Sequence, residues 1–300
     1  MKLPSSPLIV YSIIYLSAIF LGIILHLLLF PLITSALFRL YVIDFYITCI
    51  LFLLGNYIFL SNNVYDIHWP LLPLLSSIYF HITLDTIEIL SLKHLPLNLI
   101  ICFWSFHLIC QTISGTNDIH HEDWRYQLMR KEYKRNFSLF AFFALHLLPM
   151  FEVLLGSSSI YYIYVNTHVN TILDNVFLFV IFSGVLLEYF ADKQLNDFRN
   201  FKKKSKENRF AVLSQGLWKH SRHPNYLGEM IFWWGLFGLG YVYHAPLWCI
   251  LGPLLITLMM IFGSIPMSEE RLFRKYPDYK FVQQRVSILI PTFRLTSFLY

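Results

Sequence analysis

The sequence predicts an all-α fold, a polytopic transmembrane helix bundle of about eight spans. Three observations carry this. Of 300 residues, 56% are apolar and only 14% charged, and the mean hydropathy is +0.55. A soluble domain carries about 25% charged residues and could not cover a water-facing surface with so few. Apolar runs of about 18 or more residues recur, each long enough to cross a bilayer as a helix. No alternating barrel pattern appears, and backbone groups in lipid must be satisfied internally, so the spans are helices.

The spans follow in order at about 8–30, 41–60, 70–90, 95–113, 138–155, 171–191, 226–243 and 247–265. The first apolar run is too long for the core of a signal peptide. It has no basic stretch before it beyond Lys2 and no small-x-small cleavage site after it. Asp44 interrupts the second span, and Asp85 and Glu88 the third. Cys49, Cys102, Cys110 and Cys249 lie singly in apolar segments, with no CxxC pair and no metal spacing, and read as small hydrophobes.

Cationic residues orient the array. Residues 115–137 hold five, 191–225 hold nine, and the tail after Pro266 holds six, together twenty of the 23. The positive-inside rule puts all three regions in the cytoplasm. Two spans separate each region from the next, as that requires, and four spans before the first region put the N-terminus there too. The Lys202-Lys203-Lys204 run reads as a topology signal that also attracts anionic lipid.

Four stretches between the spans combine charges with aromatics and turn formers. Gly216–Glu229 reads GLWKHSRHPNYLGE. Pro224 can open a helix, which puts Asn225, Tyr226 and Glu229 at its N-terminus, where N–H groups and the dipole favour an anion. Arg222 and His223 add donors beside this corner, and Gly228 allows close backbone approach. In the second stretch Glu188, Asp192 and Arg199, four and seven residues apart, share one face of a continued helix. Ionisable groups at a membrane boundary are costly, so they suggest a functional pairing; an ordinary helix-end ion cluster is the simpler reading. The third stretch is HHEDWRYQLMR from His120, and the fourth SIPMSEERLF from Ser264, where Pro266 and an acidic pair begin a helix. All four fall on the cytoplasmic face of the expected topology. They suggest a site for a soluble anionic cofactor acting on a lipid-borne substrate.

The succession EDWRYQ, ADxQLxxF, GLWxxSRHPNYLGE, SIPMxEERL and a closing IP resembles the steroid 5-alpha-reductase-like superfamily. It is most similar to a branch of multi-span proteins related to the C-terminal half of 3-oxo-5-alpha-steroid 4-dehydrogenases, over about residues 65–293. Tyr65-Asp66-Ile67-His68-Trp69 is a weaker upstream element. The resemblance implies N-terminal spans over 1–64, a membrane catalytic domain over 65–300, and reduction of a carbon–carbon double bond in a sterol, polyprenol or fatty-acyl lipid with NADPH. It implies cofactor binding by Asp192, Arg199, Trp218, Arg222, His223, Asn225, Tyr226, Gly228, Glu229 and Arg125. The glutamate and tyrosine that hold the substrate carbonyl in the steroid reductases have no clear counterpart. Asp66, Tyr79, Asp85, Glu88 and Tyr126 remain the candidate proton donors. Where those enzymes carry a His/Tyr-rich element, this chain has Glu269 and Glu270.

Other readings stand beside this one. Membrane methyltransferases of the same superfamily share an RHPxYxG stretch and a following EE element, matched by Arg222–Gly228 and Glu269-Glu270. S-adenosylmethionine carries no phosphate and needs fewer cations, and the ADxQLxxF and EDWRY elements favour the reductase. A histidine-box iron oxygenase needs about eight histidines in repeated boxes; most of the twelve here lie singly, so no metal is expected. A non-enzymatic membrane protein is the remaining reading. The expected location is the endoplasmic reticulum of a eukaryote or the inner membrane of a bacterium. The expected partner is a membrane lipid, with no nucleic acid.

Overall fold

The computed structural model describes residues 6–84, 93–116, 118–166, 171–204, 212–276 and 278–291. Its helices are α1 (Pro7–Leu29), α2 (Ala36–Leu53), α3 (His68–Thr83), α4 (Leu95–Gly115), α5 (Trp124–Tyr133), α6 (Phe137–Phe140), α7 (Leu148–Val165), α8 (Ile172–Lys204), α9 (Pro224–Val242), α10 (Leu251–Met259), α11 (Ile265–Lys275) and α12 (Tyr279–Arg285). No strand occurs among the described residues. Proline stands in the first turn of α1, α4 and α9, where its missing N–H has no intrahelical partner to lose, and also at the start of α7 and α11, where each follows directly on a π-helical stretch. Ser35 caps α2 by accepting from Phe38 N, and Asp123 caps α5 by accepting from Arg125 N.

Among the described residues three stretches are wound as π-helix: Leu54–Phe59 continues α2, Ala141–Leu147 leads into α7, and Met260–Ser264 joins α10 to α11. Such insertions often mark functional positions.

Among the described residues six helical runs are long and apolar enough to cross a membrane: Pro7–Leu29, Ala36–Phe59, Leu95–Gly115, Trp124–Val165, Ile172–Lys204 and Leu247–Lys275. The expected spans at 70–90 and 226–243 correspond to α3 and α9. α3 is only 16 residues long, and residues 85–90 lie outside the described residues. α9 has 19 residues, but Asn225 and Glu229 in its first turns make it less apolar. Outward-facing side chains of the spans, among them Leu16, Phe20, Leu27, Phe179 and Phe262, are large, apolar and exposed. That surface suits hydrocarbon and not water, and the protein is an integral membrane protein.

The chain forms two compact units, Met1–Asp174 with Phe237–Gly252, and Asn175–Leu236 with Pro253–Tyr300. In the first, α3 packs on α4 and α7, and α2 on α1 and α7. Leu51, Phe80, Ile101, Trp104 and Ile160 are fully buried there. The hydroxyl of Tyr164 ties α7 to α3 and α4 through Ser77 Oγ and Asn98 Oδ1, each at 2.9 Å.

In the second unit α8 and α9 meet backbone to backbone. A Cβ on Gly228 would stand 2.6 Å from both Glu188 N and Gly184 O, so only glycine permits this crossing. The segment before α9 pairs with the chain after α12: Arg222 N donates to Ser287 O at 2.9 Å and His223 N to Ile288 O at 3.2 Å.

Candidate functional site

The residues singled out by the sequence gather in two places, one in each unit. In the first unit the HHEDWRYQ stretch folds onto a short 3-10 turn, Asn62–Tyr65. Glu122 is the fastening. Its Oε1 accepts from Asn62 N at 3.2 Å and Asn62 Nδ2 at 2.8 Å, while Arg130 grips both carboxylate oxygens at 2.8 and 2.9 Å. Asn63 completes the seam: its Oδ1 accepts from Asp123 N at 2.8 Å, and its Nδ2 donates to His121 O at 3.2 Å.

This seam brings Asp66 to Tyr126, whose phenol donates to Asp66 Oδ1 at 2.5 Å. Arg125 lies over the Tyr126 ring at 5.5 Å and donates from Nε to Asp123 Oδ1 at 2.8 Å. Burial pushes the Asp66 carboxyl up to about 6, against the opposing pull of Arg125 and the Tyr126 hydrogen bond. Two of the candidate proton donors and one expected cofactor residue therefore form one contiguous group. Tyr79 is elsewhere, receiving a hydrogen bond from Arg39 Nε at 3.3 Å. Asp85 and Glu88 lie outside the described residues.

In the second unit α8 runs unbroken through Glu188, Asp192 and Arg199, as the shared face requires. The GLWK turn docks on it. Leu217 N donates to Gln194 Oε1 at 2.9 Å and Trp218 Nε1 to Ala191 O at 3.0 Å. Gly216 has φ +60°, and a Cβ there would meet Gln194 Oε1 at 2.5 Å. Asn225 Nδ2 donates to Asp192 Oδ1 at 3.2 Å, and its own Oδ1 is buried without a partner. Arg199 is exposed, and its guanidinium feels the charges of Asp192 and Arg271. Lys202 donates to the Tyr276 phenol at 3.1 Å. Burial alone would raise that phenol, but hydrogen bonds from Lys202 and Lys275 and their charges hold it below its ordinary value.

Arg222 and His223 are spoken for. Both are buried, and both meet Glu269 Oε1 at 3.1 Å. Tyr279 donates to the same oxygen at 3.2 Å, and Gln283 Nε2 to the other at 3.0 Å. Burial and this carboxylate together push the Tyr279 phenol up. Tyr226 stacks on His223 at 5.4 Å. Glu229 is buried and accepts from Trp233 Nε1 at 2.9 Å, and Gly228 serves the helix crossing. The hub at Glu269 escaped the sequence reading; its signal was an acidic pair opening a helix otherwise rich in cations.

Part of this donor set fits a phosphate-bearing dinucleotide. Arg199 offers an open cation, and the unmet Asn225 Oδ1 beside Asp192 suits a hydroxyl or amino donor such as a ribose or adenine carries. Arg222 and His223 instead stiffen the corner from behind. Among the described residues no three His, Cys, Asp or Glu side chains are arranged to hold a metal ion. His120 Nδ1 instead meets Phe59 O at 2.8 Å.

Comparison with known proteins gives the family. An uncharacterized protein of Schizosaccharomyces pombe, C594.04c, is 26% identical over 267 residues, covering 80% of this chain and 77% of that protein. No solved structure is significantly similar. The family model described as "Protein of unknown function (DUF1295)" matches residues 51–286, a span that contains both residue groups described above. The chain belongs to the DUF1295 family, within the steroid 5-alpha-reductase-like group.

Proposed function

We propose that this protein is a membrane reductase that uses NADPH to saturate a carbon–carbon double bond in a lipid of sterol, polyprenol or fatty-acyl type. The observation that carries the reading is the Tyr126–Asp66 pair beside Arg125. Saturating an activated double bond takes a hydride at one carbon and a proton for the other end of the conjugated system. NADPH, when bound, supplies the hydride and leaves as NADP+. The proton needs an acid that exists in both forms near neutrality, and a carboxyl at about 6 bonded to a phenol is one. Methyl transfer from S-adenosylmethionine to a nucleophile consumes no proton, so such an acid has no part in it.

In this reading Asp192, Arg199 and Asn225 hold the nucleotide, Trp218 and Tyr226 shape its wall, and Arg222 and His223 keep the corner rigid through Glu269. Residues 65–300 act as the catalytic part and 1–64 as additional spans. The basic segments face the cytoplasm, where the cofactor is found, in the endoplasmic reticulum of a eukaryote or the inner membrane of a bacterium. The apolar spans favour a substrate that enters from lipid, because such a molecule loses no hydration on the way.

The test is binding of NADPH and, separately, S-adenosylmethionine to the detergent-purified protein, followed by native mass spectrometry. NADPH binding is expected. Binding of S-adenosylmethionine alone overturns the reductase reading, and binding of neither favours a non-enzymatic membrane protein.

A further inference from the structure

A second polar cluster lies within the first unit, among helices otherwise packed with apolar side chains. His68 Nε2 meets Asp44 Oδ1 at 2.6 Å, with both side chains 2% exposed. The Tyr65 ring packs against His68 at 5.3 Å and against His146 at 5.0 Å. Glu152, on α7, is buried within electrostatic reach of Tyr65. These groups come from α2, the 3-10 turn before α3, α3, the π-helical stretch Ala141–Leu147, and α7.

Their hydrogens can be placed by chemistry. His146 Nδ1 lies 3.0 Å from the Ala141 carbonyl, which only accepts, so Nδ1 carries the hydrogen and Nε2 presents a lone pair. The Asp44 carboxylate in the same way draws the hydrogen of His68 to Nε2, leaving a lone pair on Nδ1. Asp44 Oδ2, His68 Nδ1, His146 Nε2 and Glu152 Oε2 are all sealed from solvent without a hydrogen-bond partner. What sets these four apart is that all belong to ionisable side chains near one tyrosine among apolar helices, where such groups are costly and mark function.

Among the described residues no lysine or arginine forms an ion pair with them. Arg39, the arginine of α2, is occupied by Tyr79 and the carbonyls of Ile33 and Thr34. The other titratable groups facing the cluster are Tyr15, stacked on His68 at 6.2 Å, and Tyr126 and Asp66, within electrostatic reach of Tyr65 and Tyr15. The set is rich in lone pairs, poor in positive charge and closed to water. What it lacks is hydrogen, and a proton is the one ligand that needs no cavity.

We propose that Asp44, His68, His146 and Glu152 form a proton-holding site around Tyr65 within the membrane-spanning helices. One proton taken from water resides on this cluster. There it lessens the negative charge near Asp66, which gives its own proton to the reduced lipid and, being only partly buried, regains one directly from water. Only this use of the proton rests on the reductase reading; the holding does not.

The experiment is infrared spectroscopy of the full chain in detergent, without substrate, between about pH 5 and 8, where histidine and raised carboxyls titrate. A band from a sealed, protonated carboxyl is expected to persist at neutral pH. It should shift on 13C-glutamate labelling, stay put on 13C-aspartate labelling, and vanish in Glu152→Gln. Glu122, Glu188 and Glu229 are buried too, so a substitution assigns the band; if Glu152→Gln does not fold, Glu152→Asp, which keeps a carboxyl, should move the band from the glutamate-labelled to the aspartate-labelled set. A spectrum without a glutamate-dependent band overturns the proposal. If the band is present but NADPH does not bind, the proton site stands and the reductase reading falls.

Discussion

The phenol of Tyr126 bonds to a carboxyl sixty residues earlier in the chain, Asp66, at 2.5 Å. Burial holds that carboxyl at about 6, above the 3.8 of the unfolded chain. The sign follows. Below about pH 4 the acid is neutral in both states, and its stabilising contribution is complete. As pH rises through about 6 the folded chain must carry a desolvated carboxylate, and stability falls by on the order of 2–3 kcal/mol. Thermal unfolding in detergent between about pH 4 and 7 should show this fall in the wild type and not in Asp66→Asn. Equal slopes in the two proteins would remove Asp66 as the acid.

Glu122 joins the EDWRYQ stretch to the Asn62 turn while almost wholly buried. Glu122→Gln keeps the shape but loses the charge that Arg130 grips, at a cost of about 2 kcal/mol. Glu122→Ala also leaves Asn62 unmet, and the loss should reach about 3–5 kcal/mol. Both should appear as lowered unfolding temperatures in the order alanine, glutamine, wild type. An unshifted Glu122→Ala would mean that the seam contributes nothing to folding.

The bundle was legible because hydropathy is a local property. Most spans are written in their own runs of side chains, and prolines mark where α1, α4 and α9 begin. The shared face of Glu188, Asp192 and Arg199 was legible too, since helical periodicity needs no partner. What each charge does once folded was not. Arg222 and His223 read as open anion donors because the acid that claims them, Glu269, lies 46 residues on from His223. Asp44 read only as a flaw in a span, because His68 is 24 residues away and the contact depends on how α2 and α3 pack. Periodicity orders residues along one helix, whereas a site is an agreement between several.

The α8–α9 crossing allows a sharp steric test. Gly228→Ala places a methyl 2.6 Å from backbone atoms that cannot swing aside. Overpacking of this kind costs roughly 1–3 kcal/mol or more. Gly263→Ala, with nothing within 4 Å of the added carbon, should stay within about 0.5 kcal/mol of the wild type. Unfolding temperatures measured side by side decide it, and equal values for the two variants would refute the close crossing.

Arg199 and Glu269 separate ligand recognition from architecture in the second unit. Arg199 is exposed, so Arg199→Glu should leave the unfolding temperature nearly unchanged while weakening NADPH at least about tenfold, or some 1.4 kcal/mol. Glu269→Ala leaves the buried Arg222 and His223 facing no carboxylate, which should cost about 3–5 kcal/mol of stability. Glu269→Gln, which still accepts from Tyr279, should cost less. NADPH affinity measured by titration well below each melting point completes the comparison. If Glu269→Ala binds as the wild type does and Arg199→Glu does not, the corner at Glu269 is scaffold and the face of α8 is the binding surface. If both variants bind NADPH normally, the nucleotide assignment in this unit is wrong, and the corner must serve another ligand or none.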